Sequence, residues 1–309
     1  MNKTAIITVT QGDWQYLEEW IEYHRSIGID LFLIAYNGPI EEMNRLPKYD
    51  YVKYYDYATD DKDPMRSYMD YSDGKGFSGW IGEYEREYNG LIMQKIENQL
   101  LRELLYFFPQ ITYCCVIDTD EFLSINNNKI NNITKCLDKN FPVDNSSIQV
   151  QMRFYDDNNQ IYNSYKPVRE RFTRKQPVMS VKIKPGFGKM IINLKHEHVR
   201  NGEIHLYSPH TCTKYIRDFI IDINELELNH YWTKSLEEWI SKFSNTVDRD
   251  YFKRFHNDIF GQFFQWNRIT PQKLIAIPEL LKKYNIDYNP LNEKNKIFVE
   301  QYKKYNSLD

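Results

Sequence analysis

The run Tyr113-Cys114-Cys115-Val116-Ile117 carries no charge and passes without a spacer into Asp118-Thr119-Asp120-Glu121-Phe122-Leu123. Short uncharged runs rich in β-branched and aromatic residues form strands covered on both faces, as in an α/β sheet. Carboxylates cannot stay unpaired inside such a sheet, so Asp118, Asp120 and Glu121 are expected where the strand surfaces, at its C-terminal end. In open α/β sheets that end is where ligands bind. Two aspartates one residue apart can present hard oxygen ligands to Mg²⁺ or Mn²⁺ and leave coordination sites for a diphosphate. The same residues also suit a solvated acidic turn, and the surrounding sequence has to separate the two readings.

The preceding segments supply the rest of an α/β half. Ala5–Thr10 reads as a buried strand, and Asp13 is placed to cap a helix whose Leu17, Trp20, Ile21, His24 and Ile27 recur at helical spacing. Gly28 is placed to end that helix. Leu31–Ala35 is a second strand closing at Asn37-Gly38-Pro39, which makes a βαβ unit with a right-handed crossover. Tyr51–Tyr57 follows as a third strand. An Asp- and Gly-rich connection covers Thr59–Gly82, and a long helix over Tyr88–Phe108 leads through Pro109 into the acidic strand.

Beyond Leu123 the sequence predicts a polar loop over Asn126–Asn132, a short helix, a strand over Ile148–Phe154, and strands around Arg169-Glu170-Arg171-Phe172-Thr173. His196, His198, His205 and His210 cluster, yet no Cys or carboxylate pattern completes a zinc site. Ser235-Leu236-Glu237-Glu238 is a capping box, and the chain from about Asp248 is helical and polar. The expected domains are residues 1–125 and 126–234 as two halves of one α/β domain, with 235–309 as a helical appendage.

With 309 residues, 41% of them hydrophobic, the chain can bury a large core. Its 40 basic and 43 acidic residues leave no electrostatic footprint for nucleic acid, and none is expected as a partner. The four cysteines (Cys114, Cys115, Cys136 and Cys212) lack metal-ligand spacing. Two lie in the buried strand, a usage that suits a reducing compartment. The N-terminal apolar run is too short for a signal peptide, and no window approaches a membrane span. A cytoplasmic location is therefore expected. The lysine pair Lys303-Lys304 offers at most a peripheral contact with an anionic membrane.

Fragments in order along the chain resemble the GT-A glycosyltransferases of the family 2 and family 92 type. They are Tyr16-Leu17-Glu18-Glu19-Trp20-Ile21-Glu22-Tyr23-His24 with Gly28-Ile29-Asp30, then Gln94 and its helix with Ile117-Asp118-Thr119-Asp120-Glu121-Phe122-Leu123. Arg169-Glu170-Arg171-Phe172-Thr173 and Leu228-Asn229-His230-Tyr231-Trp232-Thr233-Lys234-Ser235-Leu236-Glu237-Glu238-Trp239 complete the set. The resemblance implies a GT-A fold, a Rossmann-like mixed sheet with flanking helices and here a C-terminal helical appendage. It also implies a metal-dependent transfer of a hexose from a nucleotide sugar, favouring a uridine diphosphate donor. The acceptor would be a hydroxyl on a glycan or lipid-linked glycan, as in surface polysaccharide or lipopolysaccharide synthesis. Thr10-Gln11-Gly12-Asp13 stands where members carry a Lys-Asn-Glu-like triplet, and Tyr36 where an aspartate is usual.

Transfer from a nucleotide sugar builds negative charge on the departing diphosphate, which a bound Mn²⁺ or Mg²⁺ can stabilise. By the resemblance, Asp120 and His230 are metal ligands, and Asp118 holds either the metal or the donor ribose. Thr8, Thr10, Asn37, Gln94 and Thr119 line the nucleotide, and Lys234 neutralises diphosphate. Glu121 either supports the ligands or holds the turn. An inverting enzyme also needs a general base. Asp156, Asp157, Glu170 and His210 are candidates, with Asp157 slightly favoured. His24 lies on the apolar face of its helix and reads as a core residue. Two rival readings remain: a nucleotidyltransferase, although residues 8–13 show no Gly-rich basic phosphate loop, and a non-catalytic nucleotide- or glycan-binding protein on a transferase scaffold.

Overall fold

A computed structural model describes residues 2–10, 14–36, 40–56, 89–176, 188–208, 211–212, 220–244 and 259–307. Asp13, the turn at residues 37–39 and the connection at residues 59–82 lie outside them. In chain order the elements begin β1 (Thr4–Thr10), α1 (Trp14–Ser26), β2 (Leu31–Tyr36), α2 (Ile40–Met43), β3 (Val52–Asp56), α3 (Asn89–Phe107), β4 (Tyr113–Val116), β5 (Glu121–Ile125) and α4 (Ile133–Asn140). They continue β6 (Ser147–Phe154), α5 (Val168–Arg171), β7 (Gly188–Asn193), α6 (Glu197–Arg200), β8 (Leu206–Ser208), β9 (Thr211–Cys212) and β10 (Leu226–His230). The last are α7 (Leu236–Lys242), α8 (Ile259–Trp266), α9 (Pro271–Lys283) and α10 (Lys296–Tyr305).

The protein is α/β. A mixed eight-stranded sheet has the order β3-β2-β1-β4-β7-β6-β10-β5. Its first four strands are parallel, and β7 then runs antiparallel to β4. The order 3-2-1-4 is compatible with a Rossmann-like half, and it sets the C-terminal ends of β1 and β4 side by side. Ala5, Ile6, Ile7 and all of β2 are buried, as expected for strands covered on both faces. Cys114 and Cys115 are buried in β4, and burial pushes both thiols up, so they act as small apolar residues.

Leu17, Trp20, Ile21 and His24 of α1 are all fully buried, and Gly28 ends the helix at φ +99°. A Cβ on Gly28 would lie 2.0 Å from the Asn132 amide, which itself caps α4 by accepting from Lys135 N–H. The glycine thus serves both the chain reversal and the next helix's cap.

Two compact units divide the chain. One comprises residues 1–153 and 179–230, and the other residues 154–178 and 231–309. They are drawn differently from the expected segments 1–125, 126–234 and 235–309, because the C-terminal helices share a unit with residues 154–178. In that second unit Trp239, Phe260, Phe263, Leu274, Ile277 and Phe298 form the core. The expected capping box is present: Ser235 Oγ accepts from Glu238 N–H and the Glu238 carboxylate accepts from Ser235 N–H.

The strands expected around Arg169–Thr173 are replaced by the helical turn α5. Pro167 precedes it with φ −48°, and the N–H groups of Glu170 and Arg171 both close onto the Pro167 carbonyl. Arg171 then makes a bidentate pair with Glu238, at 2.7 and 2.9 Å. No helix among the described residues is long and apolar enough to cross a membrane.

Candidate active site at the end of strand β4

The acidic stretch is split rather than continuous. β4 ends at Val116, residues 117–120 form a turn, and Glu121 opens β5. In the sheet order β4 is central and β5 is at the edge, so the turn carries the chain across the mouth of the sheet. Asp118 N–H donates to Glu121 Oε2 at 2.8 Å, closing the turn on itself.

α1 fixes the far side of this turn. Trp20 Nε1–H donates to the Glu121 carbonyl at 2.8 Å, and the Tyr23 hydroxyl donates to the Leu123 carbonyl at 2.6 Å. His24 Nε2 accepts the Leu123 N–H at 3.1 Å while Nδ1 lies 2.8 Å from the Trp20 carbonyl. That pair of partners requires the neutral ring with its proton on Nδ1. His24 also stacks on Phe122, with ring centroids 5.7 Å apart. The fragment over Tyr16–His24 thus holds the end of the fragment over Ile117–Leu123.

Five side chains then converge. Lys189 of β7 places Nζ 2.6 Å from Asp118 Oδ2 and 3.4 Å from Glu121 Oε2. His230, the last residue of β10, faces the turn: Nε2 lies 3.5 Å from Asp120 Oδ1 and Nδ1 lies 3.7 Å from Glu121 Oε1. Glu121 is fully buried rather than surfacing with the two aspartates, and its Oε1 accepts no hydrogen bond.

Burial pushes the Glu121 carboxyl up to about 7, with Lys189 pulling the other way and Asp118 adding to the rise. Burial likewise pushes Glu97 of α3 up to about 8, with Asp118 adding to it. For Lys189, burial would lower the pKa, but the carboxylates of Asp118, Glu121 and Glu97 outweigh it and the net shift is upward.

β1 supplies the neighbouring wall. Thr10 Oγ1 lies 3.3 Å from Thr119 Oγ1, and the buried Thr8 Oγ1 has no hydrogen-bond partner. Thr8, Thr10, Thr119, Asp118, Asp120 and His230 are therefore assembled at one end of the sheet. Asp118 lies against Lys189, and Asp120 faces His230.

The remaining candidates have different surroundings. Asn37 and His210 lie outside the described residues, as does the side chain of Gln94. In the second unit, Lys234 is buried at a positive φ of 50° just before the capping box. Asp157 is fully buried and paired with Lys273, and its N–H donates to Asn267 Oδ1 at 2.7 Å. Asp156 pairs with Arg174 at 2.9 Å, and Glu170 is exposed on α5. In the first unit His196 caps α6 and His198 lies 2.9 Å from Glu203. No group of three or more His, Cys, Asp and Glu side chains among the described residues is arranged to hold a metal.

Lys189 and Glu97 are the site residues that sequence reasoning missed. Both carry a readable signal. Glu97 interrupts the apolar face formed by Leu100, Leu101 and Leu104 at helical spacing, and Lys189 is the one charge in the strand Gly188-Lys189-Met190-Ile191-Ile192. No protein-family model matches the chain, and a search of curated proteins finds no match either.

Proposed function

We propose that the protein is a metal-dependent glycosyltransferase of GT-A type, moving a hexose from a nucleotide sugar to a hydroxyl on a glycan or lipid-linked glycan. The carrying observation is Asp120 facing His230 at 3.5 Å across the acidic turn, at the C-terminal end of a parallel 3-2-1-4 block. A uridine diphosphate donor is favoured, and surface polysaccharide or lipopolysaccharide synthesis is the setting that suits the reaction.

The residues fit a divalent ion. A carboxylate oxygen and an imidazole nitrogen, each on a side chain 12% exposed, are a donor pair that would suit a divalent ion such as Mn²⁺, with Mg²⁺ the poorer match for the imidazole, and would leave coordination sites for phosphate oxygens. When bound, the ion neutralises charge on the departing diphosphate. The chain's own residues do the rest. Asp120 and His230 would hold the ion, Thr8 and Thr10 line the adjoining strand end, and the α1 clamp keeps the turn in place before a donor arrives.

The test is thermal unfolding of the full chain with uridine, guanosine, cytidine and thymidine nucleotide sugars, with and without Mn²⁺, on wild type and Asp120→Ala. A donor that raises the melting temperature only with Mn²⁺, and only in wild type, followed by release of nucleoside diphosphate, is the expected result. Stabilisation without any turnover would favour a binding protein on the same scaffold. A protein that no donor stabilises under any metal condition would overturn the transferase reading.

A further inference from the structure

In the second unit a short, heavily tied loop turns two tyrosine rings away from the core. We infer that Tyr162 and Tyr165 form an aromatic platform for a glycan, with Lys283 and Tyr284 as its polar border. The choice of occupant rests on the transferase reading, whose acceptor is a glycan.

The loop over residues 160–167 is docked on the first turn of α7. The Leu236 and Glu237 N–H groups, which a helix leaves without partners of its own, donate to the Gln160 and Ile161 carbonyls at 3.2 and 2.8 Å. The Glu237 carboxylate returns the contact by accepting from Asn163 N–H at 2.7 Å. Asn163 Oδ1 then accepts from Arg171 of α5 at 3.3 Å and from Tyr165 N–H at 2.9 Å. Ile161 packs against the Trp239 core. The segment between the two rings is thus tied to α7, to α5 and to itself.

What this scaffold carries is turned outward. Tyr162 is 50% exposed and Tyr165 is 79% exposed. Tyr165 is also held at φ +54°, a left-handed conformation that is costly for a bulky residue. Folding alone gives no reason to place there a ring that buries so little, since glycine or asparagine would make the same turn more easily. Strain of this kind persists where surrounding contacts impose it, and it concentrates at sites that bind or react.

The ring chemistry selects the occupant. A tyrosine offers a broad apolar face with few torsions to immobilise, so a pre-set ring binds at small entropic cost. A pyranose presents the matching surface, an apolar face of C–H groups rimmed by hydroxyls. Partners for those hydroxyls stand beside Tyr165, whose phenol lies within electrostatic reach of Lys283 and Tyr284. Both are anchored on Glu237 Oε1, with the Tyr284 hydroxyl donating at 3.0 Å and the Lys283 ammonium paired to the same oxygen. The half-exposed Lys283 has further N–H groups to donate, and the Tyr284 oxygen can accept.

The experiment is saturation-transfer difference NMR of the full chain with cellotriose, maltotriose, mannotriose and chitotriose, with Kd taken from titration. Variants are Tyr162→Ala, Tyr165→Ala, Tyr165→Phe and Asn163→Ala. At least one trisaccharide is expected to bind wild type. Tyr162→Ala and Tyr165→Ala should each weaken it about fivefold or more, and Tyr165→Phe by less than about twofold, because the ring carries the contact. Asn163→Ala keeps both rings but removes the acceptor that fixes Tyr165 N–H, so binding should again weaken severalfold as the platform is no longer pre-set.

A wild type that binds no trisaccharide would overturn the platform, and so would Kd values unchanged by both tyrosine-to-alanine variants. A loss in Tyr165→Phe as large as in Tyr165→Ala would overturn stacking as its basis. These outcomes leave the transferase reading standing, because that reading falls on a separate result, a wild type that no nucleotide sugar stabilises. Trisaccharide binding lost with Tyr165 in such a chain would keep the platform and assign it to a non-catalytic glycan-binding protein. Should Asn163→Ala not fold, the three tyrosine variants decide alone.

Discussion

His24 holds Leu123 by the backbone: its Nε2 accepts the Leu123 N–H at 3.1 Å, from a helix separated by nearly a hundred residues of chain. The contact ties α1 to the strand that leaves the acidic turn, and Trp20 and Tyr23 reinforce it from the same helix. His24→Ala removes an acceptor for a buried N–H and the ring stacked on Phe122. It is expected to cost about 2–4 kcal/mol in urea unfolding. A loss below about 0.5 kcal/mol would show that the turn is held by other means.

Arg171 and Glu238 should behave as a buried pair. Arg171→Met alone is expected to destabilise by about 3–5 kcal/mol, because it strands the Glu238 carboxylate. The Arg171→Met/Glu238→Gln pair should recover much of that loss. Burial would raise Glu238, but Arg171 and the Ser235 cap hold its carboxyl down at about 2, well below its usual 4.5. A depressed carboxyl contributes stability that is complete above its usual range and lost as the pH falls from about 4.5 towards 2. Acid unfolding of wild type should therefore be steeper in that window than that of the double variant.

Glu97 carries the opposite sign. Its folded carboxyl is pushed up to about 8 by burial first and by Asp118 second, so the folded state holds a proton that the unfolded chain has released. Stability should decline as pH rises from about 4.5 to 8, and Glu97→Gln should flatten that slope. Chemical denaturation at several pH values measures it. A variant as steep as wild type would remove Glu97 from the account.

Asp157 is expected to matter for folding through Lys273. Burial raises Asp157 and lowers Lys273, and their mutual attraction opposes both shifts. Lys273→Met and Asp157→Asn should each lower stability, the first by about 3–5 kcal/mol, with partial recovery in the double variant. An Asp157→Asn protein with unchanged unfolding but no transfer activity would return Asp157 to the role of general base.

Much of the first half was legible because its physics is local. The uncharged β1, β2 and β4 segments, the helical spacing of Leu17, Trp20, Ile21 and His24, and Gly28 at the helix end all describe elements that form as expected. The capping box at Ser235 was legible for the same reason. What escaped was pairing between distant residues. Nothing local in Arg169–Thr173 announces that Arg171 meets Glu238, and β-branched or aromatic neighbours there suggested strands. Lys189 was hidden by its distance in sequence from Asp118, although a lone charge in an apolar strand asks for a partner. His24 was legible as a core residue, but its hold on Leu123 depends on a strand that the sequence does not place beside it.

Lys189 also bears on how the protein comes into being. A pocket of converging carboxylates ordinarily has to wait for its cation, because the empty pocket resists closing. Here the counter-charge is covalently part of β7 and arrives with the strand. The acidic turn can be assembled during folding without any ion from solution, and a chelator should leave the folded chain standing. A cation taken up with the proposed donor would then be a travelling companion of the diphosphate rather than a strut of the fold.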